Sequence, residues 1–289
     1  IQDAIAAIPT SPTTPYILDI KPGTYTMTHN MDQFKVTQSN VTFNGLGASP
    51  SDVVITGSYG SDELPNDKYC HATTVILGSN FTARNVTFAN THGDNNGQAL
   101  AMYAKADRLF FLNCRFLGWQ DTLRTEYGRQ YFKNCYVEGD VDFIYGHATA
   151  FFDNCSLYVK SNGYITAPAL LEPANDYRSK GFVFYQCTIT GVGTGIGYLG
   201  RPWTAGGLAV YDSCWIGPVI NKAGWTGNLD GSYFAEHHSM DLNGNLLNVS
   251  NRIAGSYQLT DTQALAYSKS NWISGPDNWT PVDNTEPDT

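Results

Sequence analysis

Apolar and polar residues recur in fixed columns along the middle of the chain. Aligning FFLNCRF at 110–116, YFKNCYV at 131–137, FFDNCSL at 151–157, VFYQCTI at 183–189 and VYDSCWI at 210–216 brings Cys114, Cys135, Cys155, Cys187 and Cys214 into one position. Two earlier segments, SNVTF at 39–43 and RNVTF at 84–88, place Val41 and Val86 there. Two residues later stand Phe43, Phe88, Phe116, Val137, Leu157, Ile189 and Ile216, so this pair of columns shares one face of a strand. Three residues before the anchor stand Phe111, Phe132, Phe152, Phe184 and Tyr211. On a straight strand that odd offset would turn the aromatic outward. Both rows face inward only if the chain bends between them. The residue before the anchor is usually asparagine (40, 85, 113, 134, 154), which tolerates the left-handed conformation such a bend needs.

Repeats spaced 20 to 45 residues apart, with the same columns in the same order, predict the coils of an all-β solenoid. Each coil stacks on the next through parallel strands ~4.8 Å apart, with loops of varying length on one side. A β-sandwich or propeller rarely repeats aromatic, Asn and apolar columns in one order. Ile1, Ile5 and Ile8 follow helical spacing and predict a capping helix over about 1–10. The coils are expected over about 17–225. The non-repeating stretch of about 226–289 is expected to pack along them, with a short helix near 261–270. The whole chain, 1–289, then forms a single domain.

Composition narrows the partners. Charged residues make up 15% of the chain, with 17 basic against 26 acidic, a net charge of −9. That balance argues against a nucleic-acid partner, since phosphate neutralisation needs clustered Lys and Arg. No apolar run approaches the ~18 residues that span a membrane. The six cysteines show neither a C-x-x-C pair nor Cys/His zinc spacing, and no cofactor or metal is expected. Cys135 and Cys155 lie one short coil apart, near enough for a disulfide; two buried free thiols are the alternative. Six N-x-S/T sequons, at Asn40, Asn80, Asn85, Asn154, Asn248 and Asn278, point to a secreted glycoprotein. Asn85 and Asn154 fall on the bend and are expected to be unmodified. The chain opens at Ile1 inside a helix with no charged-then-apolar leader; a signal peptide is expected to have been removed.

The register also makes a claim about chemistry. Asp121 lies seven residues after Cys114, and Asp142 seven after Cys135. Equal offsets in consecutive coils stack the two carboxylates on adjacent strands, roughly 5 Å apart at the backbone. Stacked like charges are costly on a surface, where two solvated aspartates or a calcium site would be the ordinary reading. Here both sit among apolar and aromatic residues, in WQDTL and DFIYG. One carboxyl is then pushed to keep its proton while its neighbour stays ionised.

GQAL at 97–100, GWQDTL at 118–123, DFIYG at 142–146 and YLGRPW at 198–203 resemble, in order and spacing, the signature segments of the pectin methylesterase family. The overall spacing is most similar to its secreted fungal members. GTY at 23–25 resembles an early family element but lacks the acidic residue usual after it, and Tyr145 stands where many members carry Phe. The resemblance implies a single-stranded right-handed parallel β-helix, a pectin substrate and hydrolysis of methyl esters. It implies Asp142 as nucleophile, Asp121 as acid and base, and Gln98 and Gln120 as oxyanion donors, with Arg201 forking onto Asp142. Trp203, Phe143, Tyr145 and Trp225 are the candidates for stacking on sugar rings; His147 is read as structural. A monomer acting outside the cell is expected.

Two rivals are weaker. A polygalacturonase would carry Gly-His-Gly and Arg-Ile-Lys segments, and Gly146-His147-Ala148 is the nearest approach. A pectate lyase would need calcium-binding acidic clusters. A non-catalytic carbohydrate-binding solenoid has no reason to keep all five polar site residues. No G-x-S-x-G or H-E-x-x-H occurs, so serine esterase and zincin chemistry are unsupported.

Overall fold

The computed structural model describes residues 1–10, 14–28, 33–63, 66–94, 96–171, 176–229 and 231–281. Among these residues the strands form three all-parallel sheets of ten, eight and seven strands. A typical coil gives one strand to each sheet. Thus Leu109–Leu112, Arg115–Leu117 and Leu123–Tyr127 are followed by Arg129–Lys133, Tyr136–Gly139 and Ile144–Gly146 one rung higher. The fold is a parallel β-helix.

The repeat columns become ladders through the interior. Phe111 pairs with Phe132, Phe132 with Phe152, Phe152 with Phe184, and Phe184 with Tyr211. Their rings stack with centroids 4.8, 4.5, 4.6 and 4.4 Å apart. The column of Phe88, Phe116, Val137, Leu157, Ile189 and Ile216 is in register in the eight-stranded sheet. Between the two columns the chain bends as expected. Asn40, Asn85, Asn113, Asn134 and Asn154 all have positive φ, between 51° and 60°. Their amides also bridge coils, Asn113 Nδ2 donating to Asn85 Oδ1 at 2.9 Å and Asn154 Nδ2 to Asn134 Oδ1 at 2.8 Å.

The five column cysteines are buried free thiols, so the Cys135–Cys155 disulfide does not form. Stacked residues project side by side in one direction, which denies two of them the crossed geometry a disulfide needs. Each thiol instead donates to backbone carbonyls; Cys135 Sγ reaches Phe111 O and Lys133 O, both at 3.4 Å.

The coils run beyond residue 225, further than the repeat predicts. Tyr233–His237 and Tyr257–Gln258 extend the ten-stranded sheet. The repeat is invisible there because the aromatic position is held by Glu236 and the anchor by Ser239. Fully buried Glu236 is paired with Arg252 at 2.7 and 2.9 Å and accepts from Ser239 Oγ at 2.8 Å. Beyond it, helices Asp261–Ala264 and Lys269–Ile273 cover the sheet's outer face, where Trp272 and Ile273 pack against Phe110, Tyr131 and Phe151. Fully buried Arg129 ties this segment down, bonding Asp107 at 2.7 and 3.0 Å and Asp277 at 2.9 Å. Residues 282–289 of the expected tail lie outside the described residues. At the other end the helix Gln2–Ala6 buries Ile5, with Ile8 just beyond it, against the first coils.

Candidate active site

The polar residues singled out above flank strands of the seven-stranded sheet. Leu123 and Ile144 are register partners, so Asp121 and Asp142, each two residues earlier, hold equivalent places in consecutive coils. Both have left-handed backbones, with φ of 66° and 51°. Asp121 N–H donates to Val141 O at 3.0 Å, while Thr122 Oγ1 donates to Trp119 O and Glu138 O at 3.1 and 2.9 Å. These bonds fix the corner from which both carboxylates leave the coil. Gly146 ends the second segment at φ 125°, where a side chain would press within 2.2 Å of Thr125 O. Only glycine fits there.

Arg201 arrives from two coils further on, since Ile144 pairs with Thr166 and Thr166 with Gly200. Its guanidinium holds Asp142 with two bonds, Nε to Oδ1 at 3.0 Å and Nη2 to Oδ2 at 2.6 Å. The guanidinium also lies 4.3 Å from the Tyr164 ring centroid. Asp142 is 9% exposed, and the fork fixes the orientation of its carboxyl. Asp121 has no such partner. Burial first, then the charge of Asp142, push its pKa up to about 7, against the lowering pull of the Tyr145 hydroxyl, Arg124 and Arg201. One carboxylate is thus clamped by a guanidinium, while its unclamped neighbour holds its proton more tightly than an ordinary aspartate.

Gln98, Gln120, Asp121, Asp142, Tyr145, Arg201 and Trp203 line one open cleft of about 330 Å³. Ser61 Oγ donates to Gln98 Oε1 at 2.7 Å and occupies the carbonyl end of that side chain, which leaves the amide end for a ligand. Gln120 sits in the next coil, its backbone carbonyl accepting from Ala99 N–H at 3.2 Å. Trp203 is 44% exposed at the rim.

A family model described as Pectinesterase matches residues 1–276. The chain belongs to the pectinesterase family. It is 35% identical over 276 residues to pectinesterase 31 of Arabidopsis thaliana, an alignment covering 91% of this chain and 84% of that one. The structure resembles pectin methylesterase from carrot with a TM-score of 0.85 and 29% identity, covering 96% of this chain and 89% of that one. It also resembles a pectin methylesterase in complex with a hexasaccharide, with a TM-score of 0.80 and 26% identity over 98% and 94% of the two chains.

Within this pectinesterase, two of the four aromatic candidates are not surface platforms. Phe143 and Trp225 are both fully buried. The bend at Asp142 turns Phe143 into the coil interior beside Ile144, under Gly139, where any side chain would meet Phe143 Cβ at 2.3 Å. Trp225 packs in the core against Phe234 and Tyr211, with ring centroids 4.9 and 5.6 Å away. Tyr145 lines the cleft but is only 4% exposed; its hydroxyl bonds Asp121 and its ring meets Trp203 edge-on at 5.4 Å. That hydroxyl favours the ionised form of Asp121, and the buried ring leaves little face to the cleft. His147 is structural in effect, standing 5.2 Å from Trp203 with Nδ1 3.3 Å from Glu126.

Sequence reasoning missed Arg124. Its guanidinium lies 5.4, 5.3 and 5.2 Å from the ring centroids of Tyr103, Tyr145 and Trp203. It donates to Glu126 at 2.7 Å and to Cys70 Sγ at 2.9 Å. The one clue was alternation: Leu123 and Thr125 face the core, so the residue between them faces the cleft.

Proposed function

We propose that the chain hydrolyses the methyl esters of methyl-galacturonate units in pectin, giving pectate and methanol. The observation that carries this is the asymmetry of the dyad: Asp142 clamped by Arg201, and Asp121 unclamped with its pKa near 7. Asp142 attacks the C6 carbonyl, and the amides of Gln98 and Gln120 face the developing oxyanion. Methoxide departs with the proton of Asp121 as methanol, leaving an acyl-enzyme on Asp142. Asp121, now a carboxylate, takes a proton from water. The resulting hydroxide attacks the same carbon, Asp142 leaves, and Asp121 is again protonated.

Neutral amides suit this reaction because its product is a carboxylate, which a Lys or Arg in their place would retain. Arg201 is already engaged by Asp142. Trp203 at the rim supports stacking on a sugar face. The sequons and the polysaccharide substrate support a secreted glycoprotein, and all five polar site residues come from one chain, as a monomer requires. Among the described residues no helix is long and apolar enough to cross a membrane.

The test compares methanol release from highly methylated pectin with turnover of an ester having a better leaving group. Asp142→Asn abolishes both activities. Asp121→Asn loses most of the first but partly recovers on the activated ester, chiefly as a burst of leaving group, since acylation then needs no proton while deacylation still lacks its base. Near-normal turnover in Asp142→Asn, or recovery in that variant instead, would reject the assignment.

A further inference from the structure

The strand Tyr233–His237, late in the ten-stranded sheet, ends at His237 and is followed by His238, and the helix Asp261–Ala264 sets its first carboxylate against both. His237 Nε2 lies 3.1 Å from Asp261 Oδ1, and His238 Nε2 lies 3.4 Å from the same oxygen. The two imidazoles stack with centroids 3.9 Å apart, and the three donor atoms all fall within 4.8 Å of one another. Ligand atoms around a tetrahedral ion with bonds of ~2.0–2.1 Å stand about 3.3 Å apart. The two spacings to Asp261 bracket that value.

A second, independent feature lies behind the pair. His237 Nδ1 is 2.7 Å from Asp212 Oδ1, a largely buried carboxylate. That contact places the Nδ1 proton, fixes the ring, and aims the Nε2 lone pair at Asp261. A carboxylate behind an imidazole is the usual support of a metal-ligating histidine. His238 occupies the bend, with φ 45°, where earlier coils carry Asn113, Asn134, Asn154, Gln186 and Ser213. The backbone therefore does not call for histidine here. Ion pairs from Asp261 to both rings are the competing account, and binding of an ion separates the two.

We propose that His237 Nε2, His238 Nε2 and Asp261 Oδ1 bind a borderline transition-metal ion such as Zn²⁺, with Asp212 orienting His237 and water completing the shell. Two imidazoles and one carboxylate favour Zn²⁺, Cu²⁺ or Ni²⁺ over Ca²⁺ and Mg²⁺. The donors open into a cleft of about 610 Å³, which gives an ion access. The ion pins the helix Asp261–Ala264 to the ten-stranded sheet, whereas the reacting aspartates stand at the corner leading into the seven-stranded one. Its role is structural, and ester hydrolysis does not pass through it.

The experiment is calorimetric titration of the chelator-treated full chain with Zn²⁺ and, in parallel, Ca²⁺. Wild type is expected to bind Zn²⁺ but not Ca²⁺ at this site, to melt higher with Zn²⁺ present, and to give visible Co²⁺ bands of mixed nitrogen and oxygen ligation. His238→Asn keeps the residue type of the other bends, and Asp261→Asn changes a side chain that is 85% exposed, so both should fold. Each is expected to remove one bound Zn²⁺ and the melting shift while leaving methanol release unchanged. Asp212→Asn keeps all three ligands and should weaken binding roughly 10- to 100-fold. Absence of Zn²⁺ binding in wild type, or unchanged affinity in His238→Asn and Asp261→Asn, overturns the site. Unchanged affinity in Asp212→Asn overturns the orienting role.

Discussion

Asp121 and Asp142 stand in the same left-handed backbone conformation one coil apart, with Asp121 N–H bonded to Val141 O at 3.0 Å. Left-handed backbone is uncommon for residues other than glycine, though Asp and Asn bear it best. Here it rotates both carboxyls out of the coil and stacks them over the cleft.

That stacking has a stability cost whose sign follows from the pKa. Asp121 is raised from 3.8 to about 7 on folding, so between those values the folded state holds more protons than the unfolded one. Stability therefore falls as pH rises through that window, and the penalty is fully present above it. Asp121→Asn removes the charge and keeps the turn. It is expected to raise unfolding free energy above pH 7 by on the order of 2–4 kcal/mol, with little change near pH 4. Urea denaturation at the two pH values checks this; equal effects at both would refute it.

Tyr145→Phe installs the residue many family members carry and removes a donor that favours ionised Asp121. The pKa of Asp121 should rise above its present value of about 7. The acid form then persists to higher pH, so the alkaline limb of kcat/KM for methanol release moves upward. A limb that stays in place, or moves to lower pH, would show that the hydroxyl does not act through Asp121.

Trp203 and Phe143 should fail differently when truncated. Trp203→Ala is expected to raise KM for pectin roughly two- to twelvefold, from ~0.5–1.5 kcal/mol of lost stacking, with stability nearly unchanged. Phe143→Ala empties a fully buried site and should cost about 3–5 kcal/mol of stability. Steady-state kinetics beside thermal melts separate the two.

The cysteine column should titrate as thiols. Under denaturing, non-reducing conditions six free thiols are expected, and in the native protein only partly exposed Cys70 should react at an appreciable rate. Recovery of four thiols instead would reveal a disulfide and a rearranged ladder.

Sequon use should follow the same ladder. Asn85 is half-buried, with Nδ2 donating to Gly45 O at 3.2 Å and Gly47 O at 2.6 Å, so its amide is unavailable to a glycan. Asn248 is exposed and offers only Oδ1 to Ser250 N–H. Peptide mapping of protein made in a glycosylating host is expected to find sugar on Asn248 and none on Asn85.

The β-helix, its inner columns and the dyad were legible in the sequence because stacking coils turns register into distance. Equal offsets from Cys114 and Cys135 had to put Asp121 beside Asp142, whatever the loops did. Other features depend on contacts between residues that sequence spacing does not relate. The bend at Asp142 buries Phe143, and the core claims Trp225. A hydroxyl on Tyr145 matters only because Asp121 lies within its reach, and Arg124 matters only because three aromatic rings and Cys70 surround it. Side chains stacked in parallel keep Cys135 and Cys155 as thiols. Past residue 225 the ladder continues under a different alphabet, since buried Glu236 is admissible only when Arg252 folds back to neutralise it. His237, His238 and Asp261 likewise meet only because the helix Asp261–Ala264 lies against the strand Tyr233–His237. A repeat fixes neighbours along the stack; packing of the tail across it was decided by tertiary structure alone.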